Sequence, residues 1–253
     1  LMKFFCPQIR EWDAAKGHFW DSALAGSSSL RAAVLRALKV ENIAIMGAWV
    51  GHYLWDMATF YDSVQLNILG EELIKRDYPP ELMVPRCFVH VAPRILKVGP
   101  SLGPLVHSCR NSTLAGDQQS VSWTRGLMWD LLEKLSKVDP EYPCASHVDD
   151  LSHVLVAETA HELKAKLLTA GRIVGREVKR LGLILSTKSK TIPDNDLTNS
   201  VADILTAEGI PLGGASKADD VGIQMSGANE RATATLDERI HGKGEPRAER
   251  IPE

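Results

Sequence analysis

The sequence predicts an α+β fold, and three observations carry that expectation. Helical and strand-like stretches alternate irregularly along the chain, which favours a mixed antiparallel architecture over a parallel doubly wound sheet. A short antiparallel hairpin is expected near the centre, in Cys144 to Ala157 (CASHVDDLSHVLVA), where β-branched and apolar residues flank a polar break. Aspartates also mark two strand ends: Asp56 closes IMGAWVGHYLWD, and Asp149 with Asp150 is expected at the hairpin tip. Adjacent carboxylates repel unless a proton or cation intervenes, and hard oxygen ligands of this kind suit Mg²⁺. An Asp-Asp pair is equally a good turn former, so the pair alone leaves both readings open.

Residues 1 to 40 place Trp12, Phe19, Trp20, Leu24, Leu30, Ala33, Val34 and Leu38 mostly three and four apart, predicting two helices broken near Gly26. Ser27, Ser28 and Ser29 supply the start signal of the second. Ile45 to Asp56 reads as a strand, and the stretch after it as one buried helix that Tyr78-Pro79-Pro80 stops. Pro80 opens a further helix, followed by a β-ribbon of 94–98 and 104–107 across Gly99 and Gly103. Gln118 to Leu135 is expected to be a long helix on Trp123, Leu127, Leu131 and Leu135, ended by Asp139-Pro140. After the hairpin, Ala157 to Leu181 reads as helix, LGLILS as strand, Leu197 to Ala207 as helix and Val221 to Met225 as strand. From about Gly227 the chain is polar and poor in large apolar residues, so disorder or a displaced element is expected there.

Composition narrows the class. A chain of 253 residues, 44% hydrophobic and 24% charged, can bury a substantial core as one large or two small domains. No run approaches the roughly 20 apolar residues of a membrane span, so no membrane partner is expected. Cys6, Cys87, Cys109 and Cys144 lack CxxC spacing, which speaks for free thiols in a reducing, intracellular compartment and against a zinc site or a disulfide framework, while the sequence does not tell nuclear from cytoplasmic. The short, early-charged start LMKFFCPQIREWD is not expected to act as a secretory signal. A net charge of -3 is unlike a dedicated basic nucleic-acid binder, although local charge can differ. Between Lys164 and Lys190, eight basic residues (Lys164, Lys166, Arg172, Arg176, Lys179, Arg180, Lys188 and Lys190) face the single acid Glu177. That run reads either as a phosphate-tracking surface or as a solvated helix face.

Taken in order, the motifs resemble the palm of reverse transcriptases, most closely those of non-LTR retrotransposons, group II introns and divergent protist relatives. WDMATFYDSV resembles the first palm motif, with Asp56 ending a strand and Tyr61 five positions on. LAGDQQS resembles the second, matched at Gly116, Gln119 and Ser120 but without the glycine after the glutamine. SHVDDLS resembles the Asp-Asp motif, with His147 in place of the aromatic, and LGLILSTKSK resembles the fourth, with Lys188 as its lysine. DVGIQMS faintly resembles the hairpin that grips the primer, and GSSSLRAAVLRAL the fingers segment. The resemblance covers about residues 24 to 227.

The resemblance implies a polymerase palm with an antiparallel sheet backed by helices, with partial fingers in 1–50, palm in 51–227, and a polar tail or truncated thumb start in 228–253. It implies an RNA-directed DNA polymerase of a retroelement, working on an RNA template, a DNA primer and dNTPs, within a longer polyprotein. Asp56, Asp149 and Asp150 would be catalytic and hold Mg²⁺, or Mn²⁺ in its place, for two-metal nucleotidyl transfer. Tyr61 would stack beneath the incoming sugar and exclude a 2′-hydroxyl, Gln119 would touch the nucleotide or template, and Lys188 would neutralise the leaving pyrophosphate. Each residue also has a plainer reading: Asp56 as a helix N-cap, Tyr61 as a core aromatic interchangeable with Phe60, Gln119 as a solvated first-turn residue, Lys188 as a solvated strand end. Two other functions fit the same motifs. One is an RNA-dependent RNA polymerase palm. The other is a non-catalytic palm remnant acting as a nucleic-acid-binding or structural module, suggested by His147, by the absence of a recognisable fingers hairpin and by the short tail.

Overall fold

A computed structural model describes residues 2–24, 26–106, 111–113, 117, 119–192, 195–220 and 223–226. Helix α1 (Met2–Lys16) precedes an irregular stretch and α2 (Ser29–Ile45), whose N-cap Ser28 accepts a hydrogen bond from the Arg31 N–H. Strand β1 (Trp49–Trp55) leads to two short helices, α3 (Phe60–Ser63) and α4 (Leu66–Lys75), and then α5 (Pro80–Val91). The ribbon β2 (Arg94–Val98) and β3 (Ser101–Val106) follows, then α6 (Ser120–Ser136). The central hairpin is β4 (Ala145–His147) and β5 (Asp150–Ala157), backed by α7 (Ala160–Arg180). The chain continues through β6 (Lys190–Ile192), α8 (Asp196–Ala207), β7 (Gly213–Gly214), β8 (Lys217–Asp220) and β9 (Ile223–Ser226).

Five strands form the main sheet in the order β4-β5-β1-β6-β7, antiparallel except for β6 with β7. Because side chains alternate, the sheet has two distinct faces. Tyr53, Trp55, Leu151 and Leu155 point into the large core with Trp123, Leu127 and Leu131 of α6 and Leu163, Leu167 and Val174 of α7. Val154 and Ile192 point the other way, into a small cluster with Val40 of α2. The Tyr53 hydroxyl donates to the Leu167 carbonyl at 3.1 Å, tying α7 to the middle of β1. By contrast the ribbon stands clear of the body, with every residue from Ile95 through Val106 exposed. Among the described residues no helix is long and apolar enough to cross a membrane.

Several boundaries differ from the sequence expectation, each for a local reason. Ile45 belongs to α2 and not to the strand, since Val40 and Ile43 prolong the buried face that starts at Ala33 and Gly47 turns the chain at φ +81°. The single helix expected after Asp56 is split at Val64-Gln65, where Gln65 bridges Asn111. LGLILS is not a strand. It begins with a Schellman cap: Gly182 adopts φ +68°, its N–H bonds the Lys179 carbonyl, and the Leu183 N–H bonds the Val178 carbonyl. After it only Leu185 bridges Met57, and strand β6 starts later at Lys190. The polar tail after Gly227 lies outside the described residues.

Part of the basic run is paired with acids and is not open to phosphate. Arg172 pairs with Glu208 at 2.6 Å, Lys166 with Asp139 at 3.2 Å, and Arg180 with Glu72 at 2.5 Å and Glu177 at 2.7 Å. The acids it lacks in sequence come from other elements. Glu72 and Glu177 are buried, and Lys75 and Lys134 complete their pairing at 2.7 Å each. Burial would raise both carboxyl groups, but the Lys75 and Arg180 hydrogen bonds on Glu72, and those of Lys134 and Arg180 on Glu177, outweigh it and hold both below their ordinary value. Arg180 thus joins α4 to α7, while Lys134 joins α6 to α7. Removing Arg180 leaves buried Glu72 with Lys75 alone, and buried Glu177 with Lys134 and, at 3.5 Å, Arg176. Arg180→Ala should therefore lower the free energy of unfolding by about 2 to 3 kcal/mol, toward the low end for a broken buried pair because Arg180 is partly exposed. Urea unfolding should show this, with Glu72→Gln costing less than Arg180→Ala.

Candidate active site

Strand β1, the central strand of the sheet, delivers Asp56 just past its C-terminal end. Trp55 pairs with Leu151 and Leu54 with Ser152, so continuing one step sets Asp56 opposite Asp150. Beneath them on the same face, His52 Nε2 lies 2.7 Å from Ser152 Oγ. The hairpin turns over only two residues, Val148 and Asp149, because His147 pairs with Asp150. Asp149 alone occupies the tip; Asp150 is instead the first residue of β5, exposed, which corrects the expectation that both sit at the tip.

Val148 adopts φ +60°. That region is costly for a β-branched residue, and the hairpin around it holds it there. One consequence is the placement of Asp149. Its carboxyl is pushed above the usual carboxylate range, first by burial and then by the negative charge of Asp56, with a backbone hydrogen bond and His147 acting in opposition. His147 lies 3.3 Å from Ser22 Oγ through Nδ1, and the Ser146 strand edge is extended by Trp20 to Ser22, with the Ser146 N–H on the Trp20 carbonyl at 2.7 Å.

The Asp56 end is held from the other side. Its carbonyl accepts from the Ser186 N–H at 2.8 Å, its N–H donates to Ser189 Oγ at 3.2 Å, and the Ala58 N–H donates to the Ile184 carbonyl at 2.8 Å. Lys188 sits exposed in the turn between those two serines. After Thr59, in the left-handed region at φ +46°, Phe60 takes the core slot and Tyr61 remains half-buried, its ring edge-on to Phe60 with centroids 5.4 Å apart. The Tyr61 hydroxyl is pushed up by burial and then by the charge of Asp149, which places that ring within electrostatic reach of the hairpin tip. The Thr113 N–H donates to the Tyr61 carbonyl at 2.8 Å.

Gln119 is turned inward: only 2% exposed, it accepts from the Tyr78 hydroxyl at 3.2 Å. It is therefore not the solvated first-turn residue that was the plainer sequence reading. Gly116 of the same motif lies outside the described residues. Asp56, Asp149 and Tyr61 thus converge, with Lys188 on the loop behind Asp56 and Gln119 in the core beside α6.

Sequence reasoning missed Ser186 and Ser189, which look like ordinary turn residues until their partners are known. It also missed the buried Arg125 of α6, which pairs with Asp21 at 2.5 Å and also with Asp13. Only the acids at positions 13 and 21, well separated from Arg125 in sequence, could have hinted at that.

Among the described residues no three His, Cys, Asp or Glu side chains are arranged as a ready cation cage. A cage is not what Mg²⁺ on a nucleotide requires, since it commonly takes one or two carboxylates and completes its six oxygens with phosphates and water. The Asp56–Asp149 pair suits that role: two hard oxygen donors in a partly buried place, where the charge of Asp56 adds to burial in disfavouring the ionised form of Asp149.

No family model and no curated protein matches the chain. Solved structures do. The chain is similar to apo telomerase of Candida tropicalis truncated from its C-terminal domain, with a TM-score of 0.58 at 14% identity, covering 91% of this chain and 44% of that one. The structure of apo telomerase from the same organism gives 0.58 at 13%, covering 92% and 40%. Telomerase of Candida albicans in complex with a TWJ fragment of telomeric RNA gives 0.56 at 12%, covering 87% and 37%. The chain spans less than half the length of these proteins. The fold is thus a mixed α+β architecture similar to that of these telomerase structures, and so reverse-transcriptase-like.

Two stability predictions follow from the hairpin. A carboxyl whose value is raised on folding makes the folded state bind more protons than the unfolded one, so its ionisation costs stability as pH rises through the raised value. Asp149→Asn should therefore melt higher than the wild type at pH 8, with the gap closing as the pH is lowered toward 4; a scanning-fluorimetry series over that range checks this. Val148→Gly should be neutral or stabilising within about 1 kcal/mol, because relief of the positive φ offsets the added freedom of the unfolded chain. Denaturant midpoints measure it.

Proposed function

We propose that this chain is the palm of an RNA-directed DNA polymerase of a retroelement, joining dNTPs to a DNA primer on an RNA template. The observation that carries the reading is the register of β1 with β5, which sets Asp56 opposite Asp150 and next to the two-residue turn that holds Asp149, where its charge adds to burial in raising the Asp149 carboxyl. The reverse-transcriptase-like fold supports it, as does an RNA-bound state among its structural neighbours. The retroelement origin rests on the form of the four sequence motifs.

In this reading Asp56 and Asp149 hold Mg²⁺ or Mn²⁺, with Asp150 at the rim. The bound ions supply charge neutralisation at the α-phosphate and at the departing pyrophosphate. The chain's own residues position the reactants. Tyr61, half-buried against the core beside Phe60 and close enough to Asp149 to feel its charge, would support the sugar of an incoming nucleotide. Lys188, exposed on the turn attached to Asp56, offers a cation for the pyrophosphate. Gln119 acts through α6 and Tyr78, and meets a nucleotide only if its buried hydrogen bond opens.

A second reading, a palm that binds nucleic acid without catalysis, is favoured by the inward-turned Gln119 and by the lack of a three-carboxylate cluster among the described residues. Primer extension separates the two. With Mg²⁺ or Mn²⁺, a primed RNA template and all four dNTPs, the chain or its longest natural parent should extend the primer. Asp149→Asn should lower the rate at least about 100-fold, the scale of losing several kcal/mol of transition-state stabilisation. Tyr61→Ala should admit ribonucleotides. Template binding without extension by the wild-type parent would leave the non-catalytic reading standing.

A further inference from the structure

The turn from Ser186 to Ser189 is fastened to the main chain of Asp56 at both ends: its first fastening belongs to the isolated Met57–Leu185 bridge, and its second is a side-chain contact that no strand pairing requires. At its first residue the Ser186 N–H donates to the Asp56 carbonyl at 2.8 Å. At its last, Ser189 Oγ accepts from the Asp56 N–H at 3.2 Å and lies 3.4 Å from the Asp56 carbonyl, which it can also reach as donor. Internally the turn is closed by the Ser189 N–H on the Ser186 carbonyl at 3.1 Å and by the Lys188 N–H on Ser186 Oγ, also at 3.1 Å. Ser189 is fully buried, so water cannot replace its hydroxyl. Its carbonyl is in turn held by the Gly213 N–H at 3.1 Å, which anchors the turn to the far edge of the sheet.

Asp56 lies just past the end of β1, where both ladders have stopped: pairing with β5 ends at Trp55, and pairing with β6 at Leu54. Its carbonyl is held through the Met57–Leu185 bridge, but its N–H lies beyond both ladders, and leaving that partly buried donor unpaired would be costly. Ser189 supplies the missing partner. From this geometry we infer that Ser189 is a positioning residue for Asp56: its hydroxyl fixes the main chain from which the Asp56 carboxylate projects, and the turn makes Asp56 and Lys188 one rigid unit. The inference rests on the reading of Asp56 as a cation ligand given above. Ser189 itself touches neither cation nor nucleotide.

The test is a Mn²⁺ titration of the full chain followed by loss of the free-ion EPR signal, with thermal melts in parallel. Wild type, Ser189→Ala, Ser189→Thr and Asp56→Asn are compared. Asp56→Asn defines the binding that depends on this site. Ser189→Ala should weaken that binding about tenfold, the equivalent of about 1.4 kcal/mol and the size expected for one buried hydrogen bond. Ser189→Thr, which keeps the hydroxyl, should restore it. If Ser189→Ala does not fold, Ser189→Cys, with a similar volume and a weaker partner atom, takes its place. Unchanged Mn²⁺ affinity in Ser189→Ala, with binding still lost in Asp56→Asn, would overturn the positioning role even if the melting temperature fell. Absence of any Asp56-dependent binding in the wild type would instead overturn the underlying reading of the site.

Discussion

The structure is organised around a repulsion. Asp56, just beyond β1, and Asp149, at the tip of the β4–β5 hairpin, are brought near enough that the charge of Asp56 adds to burial in disfavouring ionisation of Asp149. Seven register pairs between β1 and β5 impose that approach, and the buried aromatic row of Tyr53 and Trp55 beneath them leaves the register no freedom. A one-residue slip would send Tyr53 to the opposite face, where the smaller cluster around Val40, Val154 and Ile192 has no such depth. The carboxylates are thus forced together by burial elsewhere in the sheet. A positive φ at Val148 accompanies the same approach.

Charge is handled very differently behind the sheet. There Glu72 and Glu177 are buried, yet each is matched by cations from neighbouring helices, and their carboxyl groups are held below the ordinary value. Arg125 likewise pairs with Asp13 and Asp21 near the N-terminal helix, although burial still leaves the Asp13 carboxyl above its ordinary value. Acids placed for packing have cation partners. Asp149 has instead a second carboxylate as neighbour, eased in part by a backbone hydrogen bond and His147. That contrast within one chain is the physical ground for reading the front of the sheet as a place for an added cation.

Much of this was legible in the sequence, and the reasons are specific. Helices α6 and α7 announce themselves through long apolar periodicity, and the hairpin through β-branched residues around a polar break. Asp56 and Asp149 could be picked out because carboxylates interrupt otherwise apolar strands. What failed depended on partners distant in sequence. LGLILS has the composition of a strand, but Gly182 commits the chain to a helix cap, so pairing begins later at Lys190. The basic run looked unpaired because its acids, Glu72, Asp139 and Glu208, lie on other elements. Gln119 looked solvated because nothing in its own helix shows that Tyr78 stands across from it. Ser189 shows nothing at all until its contact with Asp56 is seen.

The central claim is that Asp56 and Asp149 share one cation site, and iron-mediated backbone cleavage tests it most directly. Fe²⁺ in place of Mg²⁺, with ascorbate and peroxide, generates hydroxyl radicals where it is bound and cuts the chain nearby. The account predicts two cuts in the wild type, one close to residue 56 and one close to residue 149, both suppressed by excess Mg²⁺ and both lost in Asp149→Asn. Cleavage at only one of the two positions, or a cut at 56 that persists unchanged in Asp149→Asn, would contradict it.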